Sequence, residues 1–269
     1  RIKSRMNKQF PTFKLYDYKD KKCNFHTHTT RCKHATGTER EYVENAIKAG
    51  FEVLGFADHA PYLFEGDYVS RIRMDMDQLE GYVNTIEELK REYQGEIQIF
   101  GGLEMEYFPA LFDRTFAKMQ EYPLDYLILG QHCFTDEVGF EYTGRIWKEE
   151  SRLELYVERL TTAIETGLFT YVAHPDIIHY VGEDAIYDKH MRKLAKELKA
   201  HGMPIEINVN GYREQKQYPR KAFLEIGVQE GCDFIVGVDA HNPDEMLDEA
   251  NYQGCIGLVE ALGGKVLWK

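Results

Sequence analysis

Short apolar runs alternate along this chain with stretches whose apolar residues recur every three or four positions. The first β-type run ends in NFHTHT. TEREYVENAIKAG then reads as a helix. Thr38 and Glu41 have capping-box spacing, Val43, Ala46 and Ile47 share one face, and Gly50 ends it. VLGFADHA is the next predicted strand, followed by the helix MDMDQLEGYVNTIEELKREYQG with Leu79, Tyr82, Val83, Ile86 and Leu89 on one side. The strand IQIFGGLEMEY leads to the helix PALFDRTFAKMQEY, with Pro109 suited to its first turn. DYLILGQHCF is a strand, and after a polar segment at 135–149 comes the helix SRLELYVERLTTAIETG. Then follow the strand TYVAHPDI, the helix YDKHMRKLAKELKAHG, the strand PIEINVNGY, the helix PRKAFLEIGVQEG and the strand DFIVGVDAH. NPDEMLDEANYQGCIGLVEALGG is mostly helical, and KVLW is a last short strand.

About seven β-α units in series imply an α/β fold, a parallel sheet covered by helices. With no G-x-G-x-x-G, no P-loop and no break in composition, a closed barrel is favoured over a doubly wound sheet, as a single domain across residues 1–269. Segments 60–74 and 134–150 exceed ordinary β-α links and are expected to form walls or lids of a site. Residues 1–10, RIKSRMNKQF, do not begin with Met and are expected to be disordered or appended, without function.

Composition narrows the function. Of the 269 residues 43% are hydrophobic, enough for a sizeable core, and 13% are aromatic, as in well-lined pockets. A formal net charge of −12 argues against a general nucleic-acid partner. No apolar stretch approaches membrane-spanning length, and no signal-peptide pattern is present. The five cysteines are odd in number, widely spaced and without a CxxC, so free thiols and a cytoplasmic setting are expected.

The polar residues fall in register. His26 and His28 close the first strand, with His34 in the loop beyond; His59 closes the second. Glu104 and Glu106 close the third, His132 the fourth and His174 the fifth. Glu206 and Asn208 lie in the sixth, and Asp239 and His241 close the seventh. In a β/α barrel these ends converge on one face, where active sites are built. Imidazoles and carboxylates without thiolates suit divalent zinc, iron or manganese. Residues i and i+2 of a strand share a face, so His26 and His28 can reach one ion, as can Asp239 and His241. So many donors exceed the needs of one tetrahedral ion, and Glu104 and Asp239 are the natural bridges between two or three. A lone strand-end histidine is more often structural. A whole rim of them is not, because unpaired buried imidazoles and carboxylates are costly. His179, His190 and His201 read as ordinary, Cys32 and Cys133 as small free thiols, and Glu106 as ligand, substrate contact or outer partner.

FHTHTTRCKHA, FADHAP, GLEMEY, LGQHCF, VAHPD and VGVDAH together resemble the motifs of the PHP (polymerase and histidinol phosphatase) family, over residues 23–243. DHAPYLF, RMDMDQLEGYV and EINVNGYRE…YP resemble its histidinol-phosphate phosphatase branch; LGQHCF departs from the more usual GSVH but keeps the histidine. The resemblance implies a distorted (β/α)7 TIM-like barrel with three divalent ions at the strand ends. It implies His26, His28, His34, His59, Glu104, His132, His174, Asp239 and His241 as ligands. The implied activity is hydrolysis of L-histidinol phosphate, a step of histidine biosynthesis, by in-line attack of a metal-bridging hydroxide. Such ions would also make the site positive within an acidic chain. Glu104, Asp239 and His241 are the expected catalytic residues. Arg213, Arg71 and Arg73 are expected at the phosphate, and Glu106, Glu206 and Asn208 at the amine and imidazole of the substrate. Competing readings are another metal-dependent hydrolase, above all one for a different small phosphate ester, and a non-enzymatic metal-binding module.

Overall fold

Apolar strands joined through amphipathic helices can pair only in parallel, and a sheet buried on both faces must either be covered twice or close on itself. The computed structural model describes residues 13–268, and the segment at 1–10 lies outside the described residues. Numbered in chain order, the strands are β1 (Cys23–Asn24), β2 (Val53–His59), β3 (Gln98–Met105), β4 (Tyr126–Leu129), β5 (Ile146–Trp147), β6 (Tyr171–Val172), β7 (His179–Tyr180), β8 (Ile205–Asn208), β9 (Asp233–Gly237) and β10 (Lys265–Val266). Eight of them form one sheet in the order β1-β2-β3-β4-β6-β8-β9-β10, with every pairing parallel.

The sheet curls until its ends meet at the rim. Thr27, past β1, bridges Ala240, past β9. The His28 N–H donates to Ala240 O at 2.9 Å, and Val238 N–H donates to Asn24 Oδ1 at 2.9 Å. Lower down, the edge of β9 is taken by β10 instead. This is the α/β barrel that the pattern favoured, in the distorted, TIM-like form that the resemblance implied.

Helices cover the outside. They are α1 (Glu39–Lys48), α2 (Leu79–Glu92), α3 (Phe112–Met119), α4 (Glu150–Glu165), α5 (Asp184–Ala200), α6 (Val209–Arg213), α7 (Lys221–Gln229) and α8 (Glu249–Glu260). Thr38 and Glu41 form the capping box of α1, and α2 buries Leu79, Tyr82, Val83, Ile86 and Leu89. Three expectations change. Pro109 lies in the turn before α3, not in its first turn. The strand read as PIEINVNGY ends at Asn208, whose side chain accepts the Gly211 N–H at 2.8 Å and starts α6. The 134–150 segment contains β5, which pairs with β7 in a small ladder of its own. Among the described residues no helix is long and apolar enough to cross a membrane, and all five cysteines are free and buried.

Inside the barrel, aromatic rings fill the end opposite the rim. Phe13 meets Phe25, Phe100 and Tyr126 with ring centroids 5.1 Å apart in each case, and Trp268 meets Phe25 at 5.4 Å. Tyr126 crosses the interior, its Oη 2.7 Å from Phe25 O and 2.9 Å from Phe56 O. Two glycines make room for it. A Cβ on Gly55 would stand 2.3 Å from that oxygen, and one on Gly102 2.6 Å from the ring. Gly102→Ala is therefore expected to destabilise the fold by about 1–3 kcal/mol through overpacking, read as a lower urea midpoint with an unchanged m value.

Candidate metal centre

The β2–β3 register sets His59 beside Glu104, so both side chains enter the barrel mouth at one level. Glu104 is 1% exposed, and five imidazoles surround it. Its Oε2 lies 3.3 Å from His26 Nε2, 3.4 Å from His28 Nε2 and 3.3 Å from His59 Nδ1. Its Oε1 lies 3.5 Å from His132 Nε2 and 3.1 Å from His174 Nε2. Asp239 Oδ1 stands 3.0 Å from His28 Nε2 and 3.4 Å from His26 Nε2. His241 stacks on His28 with ring centroids 4.1 Å apart, and its Nε2 faces His34 Nε2 at 3.1 Å. All nine residues that the resemblance implied as ligands thus meet in one place.

The outer nitrogens are held from behind. His26 Nδ1 is 3.0 Å from Glu206 Oε2, His28 Nδ1 is 3.2 Å from Asp58 Oδ1, and His132 Nδ1 is 3.0 Å from Glu106 Oε1. His34 Nδ1 meets Cys32 O at 2.7 Å, and His241 Nδ1 meets Asp239 O at 3.0 Å. A carboxylate or carbonyl oxygen can only accept, so each of these nitrogens donates and the other is left facing inward. That is how proteins orient metal-ligating histidines.

The inward atoms lack hydrogen-bond partners. His26 Nε2, His28 Nε2, His59 Nδ1 and both oxygens of Glu104 are buried without one. Such groups cost roughly 1–3 kcal/mol each unless something meets them. Donor atoms of His26, His28 and Glu104 lie mutually within 4.8 Å, as do those of His28, His59 and His241, and those of His26, His174 and Asp239. The donor set therefore fits divalent metal.

Protonation follows the same geometry. Burial opposes the charged form of His26, but Asp239, Glu206 and Glu104 outweigh it and raise its pKa well above the usual imidazole value. His28 is likewise buried, yet Asp239 and Asp58 lift it to about 9. Burial and the nearby His28 push His59 well down and His241 to about 3. Glu104 and Asp239 are held well below the carboxylate range against burial, in each case chiefly by His26. The raised pKa of His26 and His28 reflects carboxylates whose charge a bound cation would offset instead. Two of the participating residues also hold backbone in the left-handed region, His174 at φ 29° and Asp239 at φ 54°. Such strain is sustained where the surroundings over-determine it.

Above these residues opens a cavity of about 320 Å³. It is lined by His34, His59, His132, His174, Asp239 and His241 below, and by Ile72, Phe140, Tyr142, Ile177, Asn210, Lys216 and Tyr218 around it. Ile72 comes from the 60–74 segment, and Phe140 and Tyr142 from 134–150, the two segments expected as walls.

None of the six residues expected to touch substrate lines this cavity. Arg73 is 1% exposed, and its donors are taken. It grips Glu106 through two bonds of 2.9 Å, Glu137 at 2.6 Å and Ala60 O at 3.0 Å. Glu106 is buried between Arg73 and His132. Burial would raise its carboxyl, but Arg73 and His132 hold it low. Glu206 accepts from His26, from the His174 N–H at 2.9 Å and from Asn208 Nδ2 at 2.9 Å. Asn208 also donates to Asp239 Oδ2 at 3.1 Å. Arg213 pairs with Glu245 at 2.9 Å and Asp248 at 3.8 Å, and Arg71 is exposed. All of these but Arg71 hold the centre and its surroundings in place. Asp58 and Glu137 were missed from the sequence. Asp58 had one visible signal, its place beside His59. Of the histidines read as ordinary, His190 pairs with Glu150 and His201 bonds its own helix.

The sequence matches the family profile described as PHP domain over residues 24–210. It is 29% identical over 234 residues to a probable histidinol-phosphatase of Deinococcus radiodurans, covering 83% of this chain and 88% of that one. It is 27% identical over 253 residues to the histidinol-phosphatase of Bacillus subtilis, covering 82% and 94%. Among solved structures, the histidinol phosphate phosphatase of Lactococcus lactis subsp. lactis, complexed with zinc, L-histidinol and phosphate, superposes with a TM-score of 0.72. That match has 20% identity and covers 92% of this chain and 95% of the other.

The buried and rim arginines should behave differently. Arg73→Met strands Glu106 and Glu137 without their cation and is expected to cost about 3–5 kcal/mol. Arg213→Met, at a partly exposed pair, is expected to cost no more than about 1 kcal/mol. Chemical denaturation of the two variants beside the parent measures both.

Proposed function

The chain belongs to the PHP family, and from that premise we propose that it is a metal-dependent phosphomonoesterase hydrolysing L-histidinol phosphate to L-histidinol and phosphate. One observation carries the reading: nine imidazole and carboxylate side chains converge beneath a cavity with aromatic walls. The curated relatives of similar length named for this activity support it.

His26, His28, His34, His59, Glu104, His132, His174, Asp239 and His241 would hold two or three divalent ions of zinc, iron or manganese. Bound there, the ions would supply an acidified water as nucleophile and neutralise charge on the phosphoryl oxygens. The rest falls to the chain. Glu104 reaches both sides of the centre, with one oxygen toward His26, His28 and His59 and the other toward His132 and His174. Glu206, Asp58 and Glu106 fix the imidazoles that must not turn. Asp239 and His241 line the cavity, and since both are held unprotonated near neutral pH, either would take up the proton of the attacking water and return it to the leaving alkoxide. Tyr142, Phe140 and Tyr218 offer flat apolar faces to an imidazole ring and keep bulk water from the reacting centre.

A second reading, hydrolysis of another small phosphate ester, is favoured by one feature. Among the described residues Asp239 is the only carboxylate lining the cavity, so a substrate ammonium meets no dedicated partner there.

Phosphate release separates these possibilities. The metal-loaded chain is expected to show kcat/KM for L-histidinol phosphate about 100-fold or more above that for unrelated monoesters. Chelation should abolish release and metal should restore it, while Glu104→Gln is expected to lose roughly 100- to 1,000-fold in kcat. Equal kcat/KM across esters would overturn the histidinol assignment, and turnover after full metal removal would overturn the mechanism.

A further inference from the structure

We propose that Lys216 grips the phosphoryl group from the solvent side of the cavity and so sets affinity for the phosphate half of the substrate. The proposal rests on the phosphoester reading above.

A phosphate monoester near neutral pH carries close to two negative charges, spread over oxygens that cannot all face the floor of the cavity. Some face outward and call for a cation on the wall. The arginines expected there are absent from it. Arg73 is buried between Glu106 and Glu137, Arg213 is paired with Glu245 and Asp248, and Arg71 does not line the cavity. Among the described residues Lys216 is the one lysine or arginine in the lining. It makes no ion pair with any described carboxylate at 4 Å or less, so its charge is free to meet a ligand.

Its position is built into the loop between α6 and α7. Gln215 takes the left-handed region at φ 51°, which turns the chain back, and the Lys216 N–H donates to Gly211 O at 2.9 Å. Gln217 Nε2 donates to Ile177 O at 2.6 Å, and the Arg220 N–H donates to Asp176 Oδ2 at 2.6 Å. The loop is thus pinned to the segment that follows His174. Tyr218 beside the lysine is 3% exposed and lines the same cavity. Lys216 Nζ lies 5.8 Å from the Tyr218 ring, and that ring lies 5.5 Å from the His174 ring. Tyr218 fits there because residue 211 is glycine: a Cβ would stand 2.5 Å from the tyrosine ring. The base of the same loop is tied to the floor through Asn208, which accepts the Gly211 N–H and donates to Asp239. The backbone of Lys216 is therefore set relative to Asp239 and His174, while its four-carbon stem leaves the ammonium free to follow a ligand. A compact, mobile ammonium with three donors suits a phosphate that must be bound and then released.

The test compares Lys216→Gln and Lys216→Arg with the parent, all metal-loaded. Inorganic phosphate is titrated calorimetrically, L-histidinol is measured as an inhibitor, and metal content is determined. In Lys216→Gln, phosphate affinity and kcat/KM for L-histidinol phosphate are expected to fall about 10- to 100-fold, the worth of one charge-assisted hydrogen bond. L-histidinol inhibition should shift less than about twofold, metal content should stay that of the parent, and Lys216→Arg should recover part of the loss. Unchanged phosphate affinity in Lys216→Gln would overturn the proposal. So would an equal loss of L-histidinol affinity, which would mean that the lysine only shapes the cavity. Because phosphate is titrated directly, the result does not depend on which ester is the substrate. If the parent fails to cleave L-histidinol phosphate but its phosphate binding still depends on Lys216, the substrate assignment falls and this inference stands.

Discussion

A carboxylate buried among five imidazoles governs this structure. Glu104 sits at the barrel mouth with both oxygens shielded from water and without a hydrogen-bond partner. Alone, that arrangement would be unfavourable, since a buried charge needs compensation close by. The His26 and His28 imidazoles supply some of it, their pKa raised by the carboxylates in spite of burial. The surrounding backbone concedes space to the same group: a Cβ on Gly130 would stand 2.0 Å from Glu104 Oε1. Strand register, a glycine and the histidines of four strand ends are all arranged so that one side chain can stand where water cannot reach it.

The two ends of the barrel solve opposite problems. The far end is filled by Phe13, Phe25, Phe100, Tyr126 and Trp268, whose burial supplies stability. The mouth carries polar groups and strained backbone, which detract from it. Left-handed backbone in non-glycine residues costs about 1–3 kcal/mol each, and the mouth has it at His174 and Asp239. Both sites are held by hydrogen bonds from neighbouring strands. Glu206 receives the His174 N–H, and Asn208 holds the Asp239 carboxylate while its own oxygen starts α6. The sixth barrel strand, β8, thus sends up two buried polar residues whose contacts are with protein groups of the centre.

The strand ends were legible because apolar runs followed by His, Glu or Asp repeat down the chain, and one structural rule says that parallel strand ends converge. The amphipathic helices were legible for the same local reason. What failed was whatever depends on partners distant in sequence. Arg73 looked like a substrate contact because it lies near the rim, and Glu106 was open between ligand, substrate contact and outer partner; that the two neutralise one another across 33 positions is a fact of folding. The strand at Asn208 looked longer because Ile205, Ile207 and Val209 keep the alternation going, while the Asn208 side chain in fact ends it there and starts α6. The β5–β7 ladder joins two dipeptides in segments with no strand pattern of their own. Lys216 carries no local signal at all, since only the loop's return toward His174 brings it over the cavity.

Those distant pairings also mean that the wall and the centre are one object. Glu137, from the 134–150 segment, accepts from Tyr68 Oη at 2.9 Å, from Ser70 Oγ and from Arg73 Nε at 2.6 Å, all three on the 60–74 segment. Arg73 then fixes Glu106, Glu106 holds His132 at 3.0 Å, and His132 faces Glu104 at 3.5 Å. A continuous chain of charged contacts therefore runs from the cavity wall to the central carboxylate. Two loops that would otherwise behave as independent flaps are clipped together by a fully buried guanidinium, and the same guanidinium orients an imidazole of the centre. Reshaping the wall for a different substrate cannot be separated from the centre unless Glu137, Arg73 and Glu106 are kept. The room for variation lies in the side chains that line the cavity without joining this chain: Ile72, Phe140, Tyr142 and Ile177.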